Sequence, residues 1–354
     1  MSSRDRILEL FYKKENFDKF LSETEDKKQF NENSIGEVRG LRIENKPYAA
    51  KLIKKGKENY YEEKLRGPNI VRIYKILEQS YEKETYKLIV MEKAALKSLN
   101  NMKVNIHSEK IFKYINSPFP DIFGNNLIKF YARQIIKGLE LLERNELVHF
   151  QIKVENILIH TKLNLKISNF SNIMNLKEKE NKKFHIPDTI NGYVTPEYFI
   201  KQEIDNLTAK KQDYFALGYV LLLLKLGDHM MEYKKNDDKL SEDRIIDLLQ
   251  RDIAKIESNP IYNKDFVEFV CDLIKYVPEE RPSFEGIYRN KWLNENIEDI
   301  SRVYRAFSEL DELKLLFEFE KSDYIFERQR LIEAKEKEKK GNFKFVKRKK
   351  NYFN

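Results

Sequence analysis

The sequence predicts an α+β fold with two lobes and a helical extension, and three patterns lead to this prediction. Short β-branched and apolar runs within residues 28–92 have the length and composition of strands in a small antiparallel sheet. From Leu127 to Glu146 apolar side chains recur at helical spacing, and the apolar run from Tyr214 to Leu226 indicates a buried helix. Strands followed by helices are typical of an α+β domain, for which 354 residues are sufficient.

Composition limits the class of protein. Cys271 is the single cysteine, so a disulfide framework is excluded and a reducing compartment is expected. The segment from Met1 to Lys14 carries interspersed charges and lacks the apolar core of a signal peptide. The most apolar run, from Tyr214 to Leu226, is too short to span a bilayer. We therefore expect a cytoplasmic protein without a transmembrane segment.

The positive charge is concentrated at the C-terminal end. The net charge is +8, and residues 335–354 contain nine Lys or Arg against two Glu, so the rest of the chain is close to neutral. Such a basic cluster predicts contact with nucleic acid, an acidic membrane or an acidic protein surface such as a microtubule, or import into the nucleus. A solvated tail is the alternative, and it is the more common role for a run of charges.

Taken in order, the chain divides into four segments, of which the second is the two-lobed domain. The segments are a helical stretch at 1–27, the domain at 28–296, an amphipathic and then charged helix at 297–340 and a basic tail at 341–354. Strands of this domain are predicted at 29–30, 37–43, 48–53, 70–76 and 86–91.

The central stretch of the chain runs from Leu147 to Ile159, where a loop leads into a short strand. A second strand is predicted from Leu163 to Ser168, and it ends at the triplet Asn169-Phe170-Ser171. The two strands and the triplet therefore follow directly on the helix that ends near Glu146.

This stretch resembles the catalytic core of the eukaryotic protein kinases. The family pattern is H-R-D-x-K-x-x-N followed by D-F-G, and His149, Lys153 and Asn156 stand at the matching i, i+4 and i+7 positions. Gln151 and Asn169 occupy the positions of the two aspartates. The resemblance assigns Gln151 to the place of the catalytic base and Asn169 to the place of the metal-binding carboxylate.

Residues in the second half of the chain match the framework of the same family. Thr195-Pro196-Glu197 resembles the A-P-E triplet, whose glutamate pairs with a buried arginine, here Arg281. Asp213 and Gly218 resemble the ends of the D-x-W-S-x-G motif, whose aspartate accepts N–H bonds from the catalytic loop. The resemblance therefore implies a bilobal protein-kinase-like fold, with a small N-lobe at 28–92, a hinge at 92–96 and a large C-lobe at 97–296. Its N-lobe has an antiparallel sheet and the αC helix, and its C-lobe is mainly helical.

The resemblance also implies a nucleotide-binding lysine. Lys51 ends the motif Tyr48-Ala49-Ala50-Lys51, which resembles V-A-I-K. In the family this lysine contacts the α and β phosphates of ATP and pairs with a glutamate of αC. Glu58 is the candidate partner, and Glu62 is a weaker one. The interval from Lys51 to Glu58 is short for the family, so the ion pair is left open.

Two further parts of a nucleotide site are indicated. Gly36 and Val38 resemble the end of the glycine-rich loop over the phosphates, in which Asn31 and Asn33 replace two glycines. At the hinge, the resemblance makes Met91 the gatekeeper residue. It also directs the carbonyl of Glu92 and the N–H of Ala94 at an adenine edge.

Several positions that serve phosphoryl transfer in the family have changed. Gln151 has a neutral amide that cannot take a proton near neutral pH, and loss of a general base costs roughly 10²–10⁴-fold in rate. Asn169 offers Mg²⁺ a neutral oxygen instead of a carboxylate. The remaining changes are Ile190 for the threonine that supports the base, Phe150 for the arginine that reads activation-loop phosphate, and Ser171 for the D-F-G glycine.

We therefore interpret the chain as a pseudokinase that acts as a scaffold or allosteric module for protein partners, such as an active kinase or a signalling scaffold. ATP is expected to bind weakly through Lys51 and the hinge. Mg²⁺ is expected to bind weakly or not at all at Asn156 and Asn169. Two other functions stay open, namely a divergent but active Ser/Thr protein kinase and a binding module driven by the basic tail. Lys153 and Asn156 each have a structural interpretation that is as good as a role in binding nucleotide. Lys153 would be a solvated lysine, and Asn156 would tie down the loop.

Overall fold

The structure is a computed structural model in which part of the chain is described. The described residues are 38–43, 46–54, 65–81, 84–94, 96–100, 125–160, 163–179, 184–185, 193, 195–197, 203–226, 241–258 and 263–295. The chain divides into two compact units, residues 1–300 and 301–354, and the described residues lie in the first. The predicted segments at 1–27, 297–340 and 341–354, the strand at 29–30 and the αC helix lie outside the described residues.

The N-lobe is built on a four-stranded antiparallel sheet in the order β1-β2-β4-β3. Its strands are β1 (Val38–Ile43), β2 (Lys46–Lys54), β3 (Ile73–Tyr81) and β4 (Glu84–Glu92). The register places Lys51 opposite Val38 on one side and Ile89 on the other. Directly opposed residues share a face of the sheet, so these three side chains lie on the same face.

The prediction of one strand at 70–76 is wrong for its first residues, because these pair with the C-lobe. Val71 N–H donates to the carbonyl of Ile167, and Ile167 N–H donates to the carbonyl of Asn69, both at 2.9 Å. The Asn69 side-chain amide donates to Gln134 Oε1 at 3.2 Å and to the Leu165 carbonyl at 2.9 Å. The two lobes are therefore hydrogen-bonded to each other behind the cleft.

Seven short strands lie in the chain beyond the N-lobe sheet, one after the hinge and six after the first long helix. They are β5 (Leu96–Ser98), β6 (Leu147–Val148), β7 (Ile157–Ile159), β8 (Leu165–Ile167), β9 (Met174–Asn175), β10 (Phe184–His185) and β11 (Glu203–Ile204). They form the sheets β5-β7-β8, β6-β9 and β10-β11. Strand β5 was missed from the sequence, because three residues are too few to show alternation. The strand predicted from Leu163 to Ser168 is shortened at both ends.

The C-lobe contains two long helices and four shorter ones in the described residues. They are α1 (Asn125–Arg144), α2 (Asn206–Leu226), α3 (Glu242–Glu257), α4 (Lys264–Leu273), α5 (Phe284–Arg289) and α6 (Lys291–Asn294). The helices predicted at 127–146 and in the apolar run 214–226 are thus confirmed. Helix α2 is buried on nearly all sides from residue 208 to residue 224, which explains the apolar run that begins at Tyr214. Of the helices that the structure describes, none is long and apolar enough to cross a membrane.

The end of the C-lobe is fastened to α1. Arg133 Nε donates to the Leu293 carbonyl at 2.6 Å, and Lys129 Nζ lies 2.7 Å from Glu295 Oε2. Trp292 is fully buried and packs against Phe266 and Phe269. These contacts hold the last described helix against the helix that leads into the central loop.

Candidate active site

The central loop, which lies within the stretch Leu147–Ile159, is held in place by helix α2. Asp213 accepts the N–H of His149 at 2.7 Å and the N–H of Phe150 at 2.9 Å, one on each carboxylate oxygen. The predicted anchoring of the loop by Asp213 is found in the structure. Burial raises the pKa of Asp213 to about 7, although the two N–H donors favour its charged form.

His149 fixes the loop from within. Its Nδ1 accepts the N–H of Gln151 at 3.1 Å, so the ring proton lies on Nε2, which donates to the carbonyl of Ser168 at 2.9 Å. The ring is fully buried, and burial lowers its pKa to about 4. A neutral His149 therefore ties the loop to Ser168, which lies between β8 and Asn169.

A cluster of neutral amides stands where the family has its catalytic and metal-binding groups. Asn169 Nδ2 lies 3.2 Å from Gln151 Oε1 and 3.2 Å from Asn156 Oδ1. Asn156 Nδ2 donates to the Gln151 carbonyl at 2.8 Å. Ser171 Oγ lies 3.3 Å from Gln151 Oε1 and 3.0 Å from Asn169 Oδ1. We call Gln151, Asn156, Asn169 and Ser171 the amide cluster.

Lys51 joins the amide cluster from the N-lobe. Its Nζ donates to Asn169 Oδ1 at 3.2 Å, and the residue is 8% exposed. Glu58 and Glu62 lie outside the described residues, and the ion pair with αC stays a prediction. Lys51 therefore reaches across the cleft to the position of the D-F-G aspartate, as an active-site lysine of the family would.

The amide cluster does not fit Mg²⁺. This ion prefers carboxylate and phosphate oxygens, and the cluster offers it only neutral amide and hydroxyl groups. The two oxygens that would face an ion, on Asn156 and Asn169, are also engaged by N–H and O–H donors of the cluster and by Lys51. Among the described residues there is no group of three or more His, Cys, Asp or Glu that could hold a metal ion.

Asn156 and Lys153 differ in what holds them. The Asn156 amide closes the loop onto the Gln151 carbonyl, so the interpretation of Asn156 as a loop tie is supported. Lys153 is half-buried and has no hydrogen-bond or ion-pair partner among the described residues. Its ammonium charge is therefore not neutralised by any of the described residues.

Phe150 occupies the place of the phosphate-reading arginine and packs in an apolar cluster. It adopts a left-handed backbone conformation with φ of 60°, which is strained for a non-glycine residue. Its ring is buried together with Val148, Leu176, Ile204 and Ala209. An apolar contact thus holds this part of the activation segment, and Ile190 lies outside the described residues.

The framework residues predicted from the sequence meet in the structure. Arg281 Nη2 lies 2.6 Å from Glu197 Oε1, and both side chains are buried. Burial raises the pKa of Glu197, and the nearby Arg281 lowers it again. Gly218 lies in α2, where a Cβ atom would stand 2.5 Å from Ile274 Cγ2. The glycine is needed because α2 and the end of α4 approach each other closely.

The hinge contains a contact that sequence reasoning missed. The side chain of Glu92 accepts from Lys166 Nζ at 2.7 and 2.9 Å and from the N–H of Arg72 at 2.7 Å. Lys166 lies on β8 of the C-lobe, so this ion pair spans the lobes. No local pattern could have indicated it, because 74 residues separate the two partners.

The other predicted nucleotide-site residues lie around this cleft. Met91 is buried beside Glu92 at the end of β4, and Ala94 is half-buried two residues beyond. Val38 on β1 is 55% exposed, although it is apolar and lies beside Lys51 in the sheet. Gly36, Asn31 and Asn33 lie outside the described residues.

Comparison with known proteins identifies the family. The family model for the protein kinase domain matches residues 26–293, which is more than half of the chain. With this match and the two-lobed α+β architecture, the chain belongs to the protein kinase family.

Its relatives include several Ser/Thr protein kinases. The chain is 22% identical over 241 residues to serine/threonine-protein kinase PLK4 of Drosophila ananassae, covering 67% of this chain and 27% of that protein. It is 27% identical over 183 residues to the Aurora kinase of Saccharomyces cerevisiae, covering 51% and 45%. It is 32% identical over 157 residues to rhodopsin kinase GRK1 of Rattus norvegicus, covering 44% and 26%. The chain thus spans less than half the length of these curated relatives.

Proposed function

We propose that this protein is a pseudokinase, which retains the protein kinase fold as a scaffold or allosteric module and has lost efficient phosphoryl transfer. One observation carries the proposal, namely the bonding of Asn169 Nδ2 to Gln151 Oε1 and Asn156 Oδ1 at the centre of the cleft. The groups that act as base and metal ligands in the family are here neutral amides that satisfy one another.

The chemical reason is the charge that phosphoryl transfer requires. The reaction depends on a positioned hydroxyl group and on cations that neutralise the transferring phosphate. Gln151 cannot accept a proton near neutral pH, which removes roughly 10²–10⁴-fold in rate. Without a carboxylate at Asn169, no strong Mg²⁺ ligand is contributed by the amide cluster.

A scaffold role is supported by what remains. Asp213 still anchors the loop, and Arg281 still pairs with Glu197. Glu92 and Lys166 connect the lobes at the hinge. These contacts serve the fold and not the reaction, so they support a role that depends on the architecture alone. The partners that we propose are other proteins, such as an active kinase or a signalling scaffold.

The test is phosphoryl transfer by the full chain from labelled ATP in the presence of Mg²⁺. The acceptors are the chain itself and a general protein substrate. We expect no more transfer by the wild type than by the Lys51→Ala variant. The double variant Gln151→Asp with Asn169→Asp restores both carboxylates and shows whether the rest of the site still supports the reaction. Transfer by the wild type that disappears in Lys51→Ala would overturn the proposal.

A divergent active Ser/Thr kinase is the second candidate. It is favoured by the names of the relatives and by the presence of Lys51, Lys153 and Asn156 at their family positions. In this case ATP would donate its γ-phosphate to protein Ser or Thr, with Lys153 and Asn156 positioning the nucleotide. The same transfer assay distinguishes the two candidates, because only the second predicts a Lys51-dependent signal.

The basic tail supports a separate binding role. Its nine Lys or Arg between residues 335 and 354 favour contact with a polyanionic surface, and such a cluster also suits nuclear import. Binding of this kind weakens steeply with salt, because counterions are released from the polyanion. Deletion of residues 335–354 should abolish retention on heparin at low salt, and unchanged retention would contradict this role.

A further inference from the structure

The cleft presents cationic and hydrogen-bonding groups to a ligand. Lys51 places a positive charge beside the amide cluster and donates to Asn169 Oδ1. Lys153 has no partner among the described residues. Beside Lys51, the exposed Val38 offers an apolar surface on the same face of the sheet. These groups suit an anion that carries a flat apolar portion, as a nucleotide does.

The amide cluster changes how such an anion is affected by Mg²⁺. A carboxylate at position 151 or 169 would repel a free polyphosphate, and a metal ion bound between them would be needed to overcome this repulsion. In this chain both positions hold neutral amides, which carry no negative charge to repel a polyphosphate. Glu155, the nearest acidic neighbour in the loop, is exposed. A metal-free triphosphate therefore meets no carboxylate from the cluster.

A nucleotide that carries Mg²⁺ should bind this cleft less well. Its metal neutralises part of the phosphate charge, which weakens attraction to Lys51 and Lys153. The cluster contributes no carboxylate to coordinate the metal in return. The charge that favours binding is thus reduced, and no new bond of comparable strength replaces it.

We propose that the cleft is a site for metal-free nucleoside triphosphate, and that Mg²⁺ opposes binding instead of supporting it. The inference rests on the proposed function, since it takes the amide cluster as the reason for both. It goes beyond that function in naming the charge state of the ligand and the sign of the metal effect.

The experiment is calorimetric titration of the full chain with ATP, once in EDTA and once in excess Mg²⁺, with KCl added to equalise the ionic strength. We expect binding in EDTA and an apparent affinity at least about tenfold weaker in Mg²⁺. Thermal unfolding with the same ligands provides a second readout, because a ligand that binds the native state raises the midpoint. Equal affinity in the two buffers, or tighter binding in Mg²⁺, would overturn the proposal.

Two variants test whether the named residues are responsible. Asn169→Asp should weaken metal-free binding by about tenfold and should make Mg²⁺ increase the affinity. Lys51→Met should weaken metal-free binding by a similar factor. Gln250→Glu is the matched control, since it makes the same amide-to-carboxylate change on the exposed surface of α3. If Gln250→Glu weakens binding as much as Asn169→Asp does, the effect is one of net charge and the proposed site is wrong.

The outcomes separate this inference from the proposed function. Absence of ATP binding in both buffers would overturn the metal-free site and leave a pseudokinase without a nucleotide. Lys51-dependent phosphoryl transfer in Mg²⁺ would overturn the proposed function, and the metal-free site with it. Binding that weakens in Mg²⁺ without any transfer would support both.

Discussion

Arg281 and Glu197 form an ion pair of 2.6 Å in which the side chains are only 0% and 9% exposed. Arg281 also donates to the carbonyls of Lys275 and Tyr276 and stacks over the ring of Phe215. The pair therefore joins the end of the activation segment to two other parts of the C-lobe. Because both charges are removed from water, each depends on the other for compensation.

Removal of Arg281 alone should lower the free energy of unfolding more than removal of both Arg281 and Glu197. Arg281→Met leaves the buried Glu197 carboxylate unpaired and should lower the free energy of unfolding by about 3–5 kcal/mol. Adding Glu197→Leu removes the uncompensated charge, so the double variant should recover part of this loss. Urea unfolding of the single and double variants measures the coupling. A double variant whose loss equals the sum of the two single losses would mean that the residues do not stabilise each other.

Gly218 provides a test of close helix packing. In an exposed helix, alanine stabilises relative to glycine by about 1 kcal/mol. At Gly218 the added Cβ would lie 2.5 Å from Ile274 Cγ2 and 3.1 Å from Leu273 Cβ. Overpacking of this kind costs about 1–3 kcal/mol, so we expect Gly218→Ala to destabilise the protein in thermal unfolding.

Gly286 is the control for this substitution. It is exposed in α5, and its nearest neighbour to an added Cβ is Pro282 Cβ at 3.3 Å. Gly286→Ala should change the free energy of unfolding by less than about 1 kcal/mol. If the two alanine variants have the same stability, the close approach of α2 to Ile274 does not constrain Gly218.

Motifs of the C-lobe could be predicted from the sequence because each has fixed internal spacing. Asp213, Glu197 and Arg281 were assigned in this way, and the structure brings them to the expected partners. Helix α1 was predictable from its helical periodicity, whereas α2 was predictable from its continuous apolar run and the central strands from their β-branched residues. The strand prediction was wrong at Ile70 and Val71, because an apolar run does not show which strand it will pair with.

The remaining contacts depend on distant parts of the chain. Lys166 had no recognisable partner in the sequence, because Glu92 meets it only after the lobes have come together. The substitutions at Gln151 and Asn169 were visible as separate changes. That they bond to each other and to Ser171 required the three-dimensional arrangement. Side-chain pairing across a domain follows from tertiary packing, which periodicity does not encode.

The hinge ion pair predicts a measurable contribution to stability. Glu92 and Lys166 are 13% and 18% exposed, and two hydrogen bonds join them. Hydrogen bonds to charged groups contribute about 1.5–3 kcal/mol, so Lys166→Met should lower the free energy of unfolding by an amount in this range. Urea unfolding followed by tryptophan fluorescence of Trp292 provides the measurement.

A surface pair on the same sheet supplies the comparison. Lys87 lies 3.5 Å from Glu78, and these side chains are 29% and 44% exposed. Exposed pairs contribute about 1 kcal/mol or less, so Lys87→Met should have the smaller effect. Equal losses in Lys166→Met and Lys87→Met would show that the hinge pair contributes no more than a surface pair.

The last prediction concerns the pH dependence of the His149 anchor. Burial lowers the pKa of His149 to about 4 from its usual 6.5. Between these values the unfolded chain binds a proton that the folded protein does not, so this residue makes stability increase as the pH rises. Asp213 acts in the opposite sense, because its raised pKa of about 7 makes the folded protein retain a proton. In the wild type these two opposite pH dependences of stability partly cancel.

Comparison with His149→Phe isolates the histidine contribution. The variant loses the bonds to Gln151 and Ser168 at every pH, but it also loses the penalty for protonating a buried ring. The stability difference between wild type and variant should therefore grow by roughly 2 kcal/mol from pH 4.5 to 6.5. Ile287→Ala, a buried apolar truncation in α5, should cost the same at every pH. A His149→Phe loss that is likewise constant with pH would show that His149 is not held neutral by burial.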